Sequence, residues 1–187
     1  LNNRHDKSLD AQSWDDIIVA GPAEKLYLCK GQEFEFNFRS KDVIHSAFFP
    51  NFRVQMNTVP GQTTRFKMTP DVTTAEMRKK KNDPKFDFSL LCNKICGGSH
   101  YKMYMLVEVL ERDEYNAVMK ALEYGSDNAA RPADKQLSAK ELTLIKKVFG
   151  EALPGAHRFE TLFKGAPVVE APAGNVTATD SLAIAAN

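Results

Sequence analysis

The chain has no apolar run of membrane length. No stretch approaches the roughly 18 apolar residues that crossing a bilayer requires, and nothing resembles a secretion signal. Charge of one sign is not in excess. Lys and Arg number 25 against 24 Asp and Glu, and no charged tail is present, so the basic footprint of a nucleic-acid binder is missing. Cysteine is scarce, three residues in 187, which excludes a disulfide-stapled scaffold. No Cys-x-x-Cys-His occurs, so no haem is covalently held on this chain. Tryptophan occurs once, as Trp14, in polar surroundings that suit a surface or packing role. Phenylalanine is plentiful at 12, and a hydrophobic content of 43% supports a sizeable core.

Against that background one segment stands out: Cys92-Asn93-Lys94-Ile95-Cys96-Gly97-Gly98-Ser99-His100-Tyr101-Lys102-Met103. Two thiols, an imidazole and a thioether lie close together. Sulfur ligands favour copper or another soft ion, and imidazole suits copper as well as zinc. Structural zinc sites use Cys and His and have no use for Met. The cluster therefore reads as a copper electron-transfer site. Helical spacing would put the four side chains on one stripe, but Gly97-Gly98 in the middle costs about 1 kcal/mol per glycine against Ala. The flanks, 86–91 and 104–110, alternate and are rich in aromatic and β-branched residues, so a loop between two strands is expected.

A second imidazole has to come from elsewhere if two metals share the thiolates. His5 lies in a polar N-terminal stretch and His157 in a turn-like one, whereas His45 lies in the apolar run Val43-Ile44-His45-Ser46-Ala47-Phe48-Phe49. Taken alone, His45 reads as a core histidine bonded to a backbone carbonyl. Beside the cysteine loop it becomes the missing ligand.

Strands are expected at 24–29, 33–39, 43–48, 52–56, 62–68, 86–91 and 104–111. Phe34, Phe36 and Phe38 share one face of the second. Short strands separated by turn signals indicate a β-sandwich. Thr73 with Glu76 and Ser138 with Glu141 fit capping boxes opening two helices. A third helix is expected at 113–124, with Tyr115, Val118, Met119 and Leu122 on one side. Cys29 reads as a buried, inert thiol in a strand. Residues 125–136 read as a linker, and the last twenty residues as an extended arm that needs a partner's surface to be ordered.

Together, Cys-x3-Cys-x3-His-x2-Met and the upstream Asp42-Val43-Ile44-His45-Ser46 resemble subunit II of haem–copper cytochrome c oxidase, in particular its soluble CuA domain. Val59-Pro60-Gly61-Gln62-Thr63-Thr64 and Phe66-Lys67-Met68-Thr69-Pro70 are similar to segments that follow the histidine strand in that family. Residues 72–78 resemble an insertion found in some bacterial members. The resemblance covers roughly residues 15–123.

It implies a mainly β fold, the cupredoxin Greek-key β-sandwich, with short helical insertions and a helical and extended C-terminal extension. The implied organisation is a connecting segment at 1–22, the CuA domain at 23–112, a helix at 113–124, and a linker, helix and partner-binding arm at 125–187. It implies a dinuclear copper centre. Cys92 and Cys96 would bridge both coppers, His45 and the weak ligand Met103 would serve one, and His100 and the carbonyl of Lys94 the other. Many members carry Glu where Lys94 stands, and its side chain helps to bind Mg at the boundary with subunit I. A charged lysine offers no lone pair, which puts that magnesium in question. The expectation is that the ammonium takes over the cation's electrostatic role.

The resemblance further implies electron transfer from cytochrome c, or from a cytochrome c domain, to haem in subunit I, where O2 is reduced. This chain would be part of the oxidase enzyme without carrying the oxygen chemistry. It implies neighbours in subunits I and III. The expected location is the periplasmic side of the inner membrane, or the intermembrane-space side in a mitochondrion. The family's membrane helices and aromatic motif have no counterpart here, so the chain is expected to be part of a longer protein or half of a split subunit. Two alternatives have fewer matching residues: the CuA domain of nitrous oxide reductase, which usually has an aromatic residue at the Lys94 position, and a copper-free quinol oxidase subunit II, which has lost the ligands. A zinc-stabilised domain is disfavoured by Met103.

Overall fold

The computed structural model describes residues 16–19, 24–125 and 127–158, which form two compact units. The first covers Val19–Tyr115; the second covers 16–18 and 116–158. His5, Trp14 and the C-terminal arm lie outside the described residues.

The first unit contains seven strands: β1 (Lys25–Cys29), β2 (Phe34–Phe38), β3 (His45–Phe49), β4 (Val54–Thr58), β5 (Thr64–Met68), β6 (Phe88–Cys92) and β7 (Tyr104–Leu110). They form a five-stranded sheet in the order β1-β7-β6-β3-β4 and a two-stranded sheet of β2 and β5. β1 runs parallel to β7, and the other pairs are antiparallel. The fold is mainly β, as expected.

Period-two patterning explains how the sheets meet. In β2, Phe34, Phe36 and Phe38 are buried while Glu35 and Asn37 face solvent. Phe36 stacks on Phe66 of β5, with ring centroids 5.1 Å apart, and meets Phe49 of β3 at 5.3 Å. Phe49 is fully buried. Fully burying such a side chain contributes about 1.5–3 kcal/mol, and offset or edge-to-face ring pairs add to that. β7 lies between β1 and β6 and is buried on both faces from Val107 to Leu110.

That burial includes Glu108. Its carboxylate is met by Lys25 at 3.0 Å and Arg78 at 3.8 Å, and the same two cations hold Asp87 at 3.3 and 2.6 Å. Arg78 comes from α1 (Thr74–Lys81), so this network ties the inserted helix to the sheet. The capping box of Thr73 and Glu76 opens α1.

Four strands start two residues later than the sequence pattern, β5 at Thr64 and β6 at Phe88 among them. β3 begins at His45, two residues after the apolar run does, because Val43 and Ile44 are exposed. β4 begins at Val54 because Pro50–Phe52 form a 3-10 turn closed by Arg53 at φ 55.

α2 (Arg112–Tyr124) belongs to the first unit through Tyr115 and to the second from Asn116. In the second unit Ala117, Ala121, Leu137 and Ile145 form the core, and α3 (Ala139–Phe149) opens with the Ser138–Glu141 capping box. The stretch that reads as a linker carries two 3-10 turns, Asn128–Ala130 and Ala133–Lys135. Asn128 both donates to and accepts from the Leu137 backbone at 2.9 Å, and the buried Arg131 donates to carbonyls of Lys120, Gly125 and Lys135. Among the described residues no helix is long and apolar enough to cross a membrane.

Candidate metal centre

The β6–β7 connection carries the site. Cys92 is the last residue of β6, and its N–H donates to the carbonyl of Met103 at 3.0 Å, closing the loop at its base. Gly97 sits at φ 137, a conformation that favours glycine. It turns the chain so that His100 N–H reaches the Gly97 carbonyl at 3.1 Å, opening the 3-10 turn His100–Lys102. Met103 N–H then bonds the His100 carbonyl at 3.1 Å. Sheet order places β3 beside β6, with Ala47 opposite Cys92. Asn93 N–H donates to the Ser46 carbonyl at 3.1 Å, which holds the loop against the histidine strand.

These contacts bring all six expected residues together. The Cys92 and Cys96 sulfurs lie 3.8 Å apart. His45 Nδ1 is 3.9 Å from Cys92 Sγ, and His100 Nδ1 is 3.5 Å from Cys96 Sγ. Met103 Sδ is 3.3 Å from Cys96 Sγ, and the Lys94 carbonyl oxygen is 3.3 Å from Cys92 Sγ. Among the described residues His45, Cys92 and Cys96 form one group whose ligand atoms all lie within 4.8 Å of one another. His100 stands outside that group, on the Cys96 side. Thiolates typically bind a metal such as zinc at about 2.3 Å, so sulfurs 3.8 Å apart can share an ion. An imidazole beside each sulfur fits a pair of soft ions better than a single one. The donor set therefore suits copper.

The electrostatics favour a bound cation. Burial would push the Cys92 thiol up, but hydrogen bonds at the Ser46 and Lys94 backbone and from His45 and Cys96 bring it down to about 7. Burial, then the neighbouring Cys92, pushes Cys96 up. Cys92 is thus the more acidic thiol of the two.

Asp42 was not singled out from the sequence. It bonds His45 Nε2 at 2.8 Å, leaving Nδ1 turned toward Cys92. A carboxylate on the far nitrogen fixes a ligating imidazole's orientation and tautomer. Its place three residues before His45, in the Asp42-Val43-Ile44-His45-Ser46 motif, was the available signal. The Asp42 carboxyl is held down to about 2 by His45, then by the Val43 backbone and Ser40. Against the opposing effect of burial, Asp42 and Cys92 raise the His45 imidazole above its ordinary value.

Cys29 takes no part in the site. It is fully buried at the end of β1, its thiol 3.5 Å from the Lys30 carbonyl, and burial pushes its pKa up.

No protein-family model matches the chain. It is 32% identical over 108 residues to the alternative cytochrome c oxidase subunit 2 of Bradyrhizobium diazoefficiens, covering 58% of this chain and 34% of that protein. It is 31% identical over 102 residues to the cytochrome c oxidase subunit 2 of Thermostichus vulcanus, covering 54% and 26%. The chain thus spans about a third or less of the length of these relatives. A solved structure, the periplasmic domain of subunit II of cytochrome oxidase from Bradyrhizobium japonicum, aligns with a TM-score of 0.44 at 19% identity, over 52% of this chain and 62% of that one. Over somewhat more than half of its length, the chain is similar to subunit 2 of cytochrome c oxidase.

Proposed function

We propose that this chain is the electron-transfer part of a terminal respiratory oxidase, a subunit II whose CuA centre takes electrons from a cytochrome c and passes them to haem in subunit I. One observation carries the reading: two thiols 3.8 Å apart, with an imidazole beside each and a thioether 3.3 Å from one of them. The similarity to oxidase subunit 2 supports it.

Cys92 and Cys96 would bridge two coppers. His45 with Met103, and His100 with the Lys94 carbonyl, would complete the two ends. Such a centre supplies a one-electron store whose charge is shared by two metals, so little rearrangement accompanies each hop. The protein's part is to hold the ligands still. The β6–β7 ladder anchors Cys92 and Met103, Asp42 orients His45, and the Ser46–Asn93 bond fixes the loop to β3. The Lys94 side chain is exposed and unnecessary for copper; many members of the resembled family carry Glu at this position, and the Lys94 ammonium would take over the electrostatic role of the magnesium bound there. In the assembled oxidase the domain would face the periplasm, or the intermembrane space of a mitochondrion, beside subunits I and III.

The test is spectroscopic. The copper-loaded chain should be purple and give a seven-line paramagnetic resonance pattern from one electron shared between two coppers. Cys96→Ser should abolish that pattern, whereas Met103→Leu should keep both coppers and shift the reduction potential, because a thioether is a weak ligand. Loading should weaken in acid, since thiolate and neutral imidazole must be present. A colourless zinc protein or a four-line mononuclear spectrum would overturn the reading.

A further inference from the structure

The segment Arg78-Lys79-Lys80-Lys81-Asn82-Asp83-Pro84-Lys85, which ends α1 and forms the turn after it, holds five cations and one carboxylate. Only Arg78 is used by the fold. It reaches inward to Asp87 and Glu108, and its Nε donates to the Phe86 carbonyl at 2.8 Å. Lys79, Lys80, Lys81 and Lys85 are exposed. The ammonium groups of Lys79, Lys80 and Lys85 enter no ion pair among the described residues. That of Lys81 stands 4.0 Å over the half-buried Phe86 ring, a cation–π contact that holds it at the surface.

The end of the helix does not need these lysines. Asn82, left-handed at φ 50, donates its N–H to the Lys79 carbonyl at 3.1 Å, and Asp83 N–H donates to that of Arg78 at 3.0 Å, so the last turn is already capped. Nor do nearby carboxylates neutralise them. Glu76 is bonded to Lys30, and Asp87 lies between Arg78 and Lys25. Asp71 stands before the helix, at its other end, and Asp83 accepts the Lys85 backbone N–H at 3.0 Å. Clustered like charge repels itself, and the field it projects attracts a partner of opposite sign. The cluster is also held still. Thr74 Oγ1 accepts the Val109 N–H at 2.8 Å, and Arg78 ties the helix to β6 and β7. A fixed charged surface loses little freedom on binding.

We infer that this end of α1 is a second interaction surface, which binds a carboxylate-rich segment of another protein. It lies apart from the metal centre. Asp87, beside α1, precedes β6, and Cys92, at the metal loop, ends it, a separation of about 16 Å along the strand. The partner held there therefore need carry no redox group. In the proposed assembly the metal end faces the haem-bearing subunit I in the membrane, which turns the α1 end away from the bilayer. Acidic protein is thus favoured over lipid headgroups. That choice rests on the proposed electron-transfer role; the charged surface itself does not.

The experiment measures binding of the metal-free 187-residue chain to a short fluorescent peptide rich in Glu, to one rich in Lys, and to vesicles of phosphatidylcholine and phosphatidylglycerol in equal parts. The Glu-rich peptide should bind more tightly than either of the others. Its affinity should fall roughly tenfold as salt rises from about 20 to about 200 mM. Lys79→Gln, Lys80→Gln and Lys81→Gln together should weaken it by roughly tenfold as well. Lys41→Gln, Arg65→Gln and Lys135→Gln together remove the same charge from exposed sites elsewhere, and should leave the affinity within about twofold. Absent binding of the Glu-rich peptide, or an equal loss in both triple variants, would overturn the inference. Tighter binding to the vesicles, lost on substituting Lys79, Lys80 and Lys81, would overturn it in favour of an anionic membrane surface. Copper loading should leave the peptide affinity unchanged, and a dependence on copper would contradict a site at the far end of β6. A missing dinuclear copper spectrum sinks the electron-transfer reading alone, since the peptide affinity is measured without metal.

Discussion

Two regions of the same unit use apolar side chains in opposite ways. Between the sheets, Phe36, Phe38, Phe49 and Phe66 point inward, and ring centroids 5.1–5.9 Å apart fill the space. Around the metal loop, Val43, Ile44, Ile95, Tyr101 and Tyr104 point outward. The first set obeys the alternation of a strand; the second sits on turns and strand ends, where no period constrains it. Side-chain type alone therefore does not decide which hydrophobic residues the fold buries.

The comparison can be broken from the frame side first. Phe49→Ala removes a fully buried ring that contacts Phe36, Phe52 and Phe66. It should cost about 3–5 kcal/mol, measured by denaturant unfolding of the metal-free chain. A loss under about 1 kcal/mol would mean that the two-sheet core is not what holds this unit together. On the loop side, Ile95→Ser should leave unfolding unchanged within about 0.5 kcal/mol, since Ile95 is 91% exposed. A large loss there would show that the loop is part of the core after all.

The smallest effect concerns α1, which the frame holds by charge. The Glu76 carboxyl is lowered from 4.5 to about 2, first by the Lys30 hydrogen bond and then by the Thr73 backbone. A lowered carboxyl pKa stabilises the fold above its ordinary value, and that contribution is lost as pH falls through the folded value. Glu76→Gln should therefore lose a little stability at neutral pH, and its unfolding curve should converge on that of the parent between pH 4.5 and about 2. A gap that persisted at the acid end would point to packing rather than charge.

Much of the frame was legible in the sequence because it follows local rules. The Phe34-Glu35-Phe36-Asn37-Phe38 alternation marked β2, and both capping boxes marked helix starts within one residue. Where chain chemistry and burial diverge, legibility failed. Val43 and Ile44 are apolar and β-branched, so they read as strand, yet they face solvent and β3 starts after them. The turn at Pro50–Phe52 delayed β4 for a backbone reason, the left-handed Arg53, that side-chain type does not announce. The spacing of Cys92, Cys96, His100 and Met103 pointed to one another because all four lie on one loop. The Asp42 contact depends on the route of the chain into β3, and the Glu108 network on long-range pairing. Neither leaves a local pattern.

The parallel pairing of β1 with β7 sets Lys25 opposite Leu106, and the antiparallel pairing of β3 with β6 sets Ala47 opposite Cys92. Contacts so distant along the chain give the unit a high contact order, and such topologies fold slowly, on the order of milliseconds to seconds. His45 meets the cysteines only once the β3–β6 ladder has closed. The set is therefore completed late, because His45 is the one expected donor that lies outside the Cys92–Met103 loop. The phenylalanine frame, by closing the β3–β6 ladder, is what brings His45 to the cysteines.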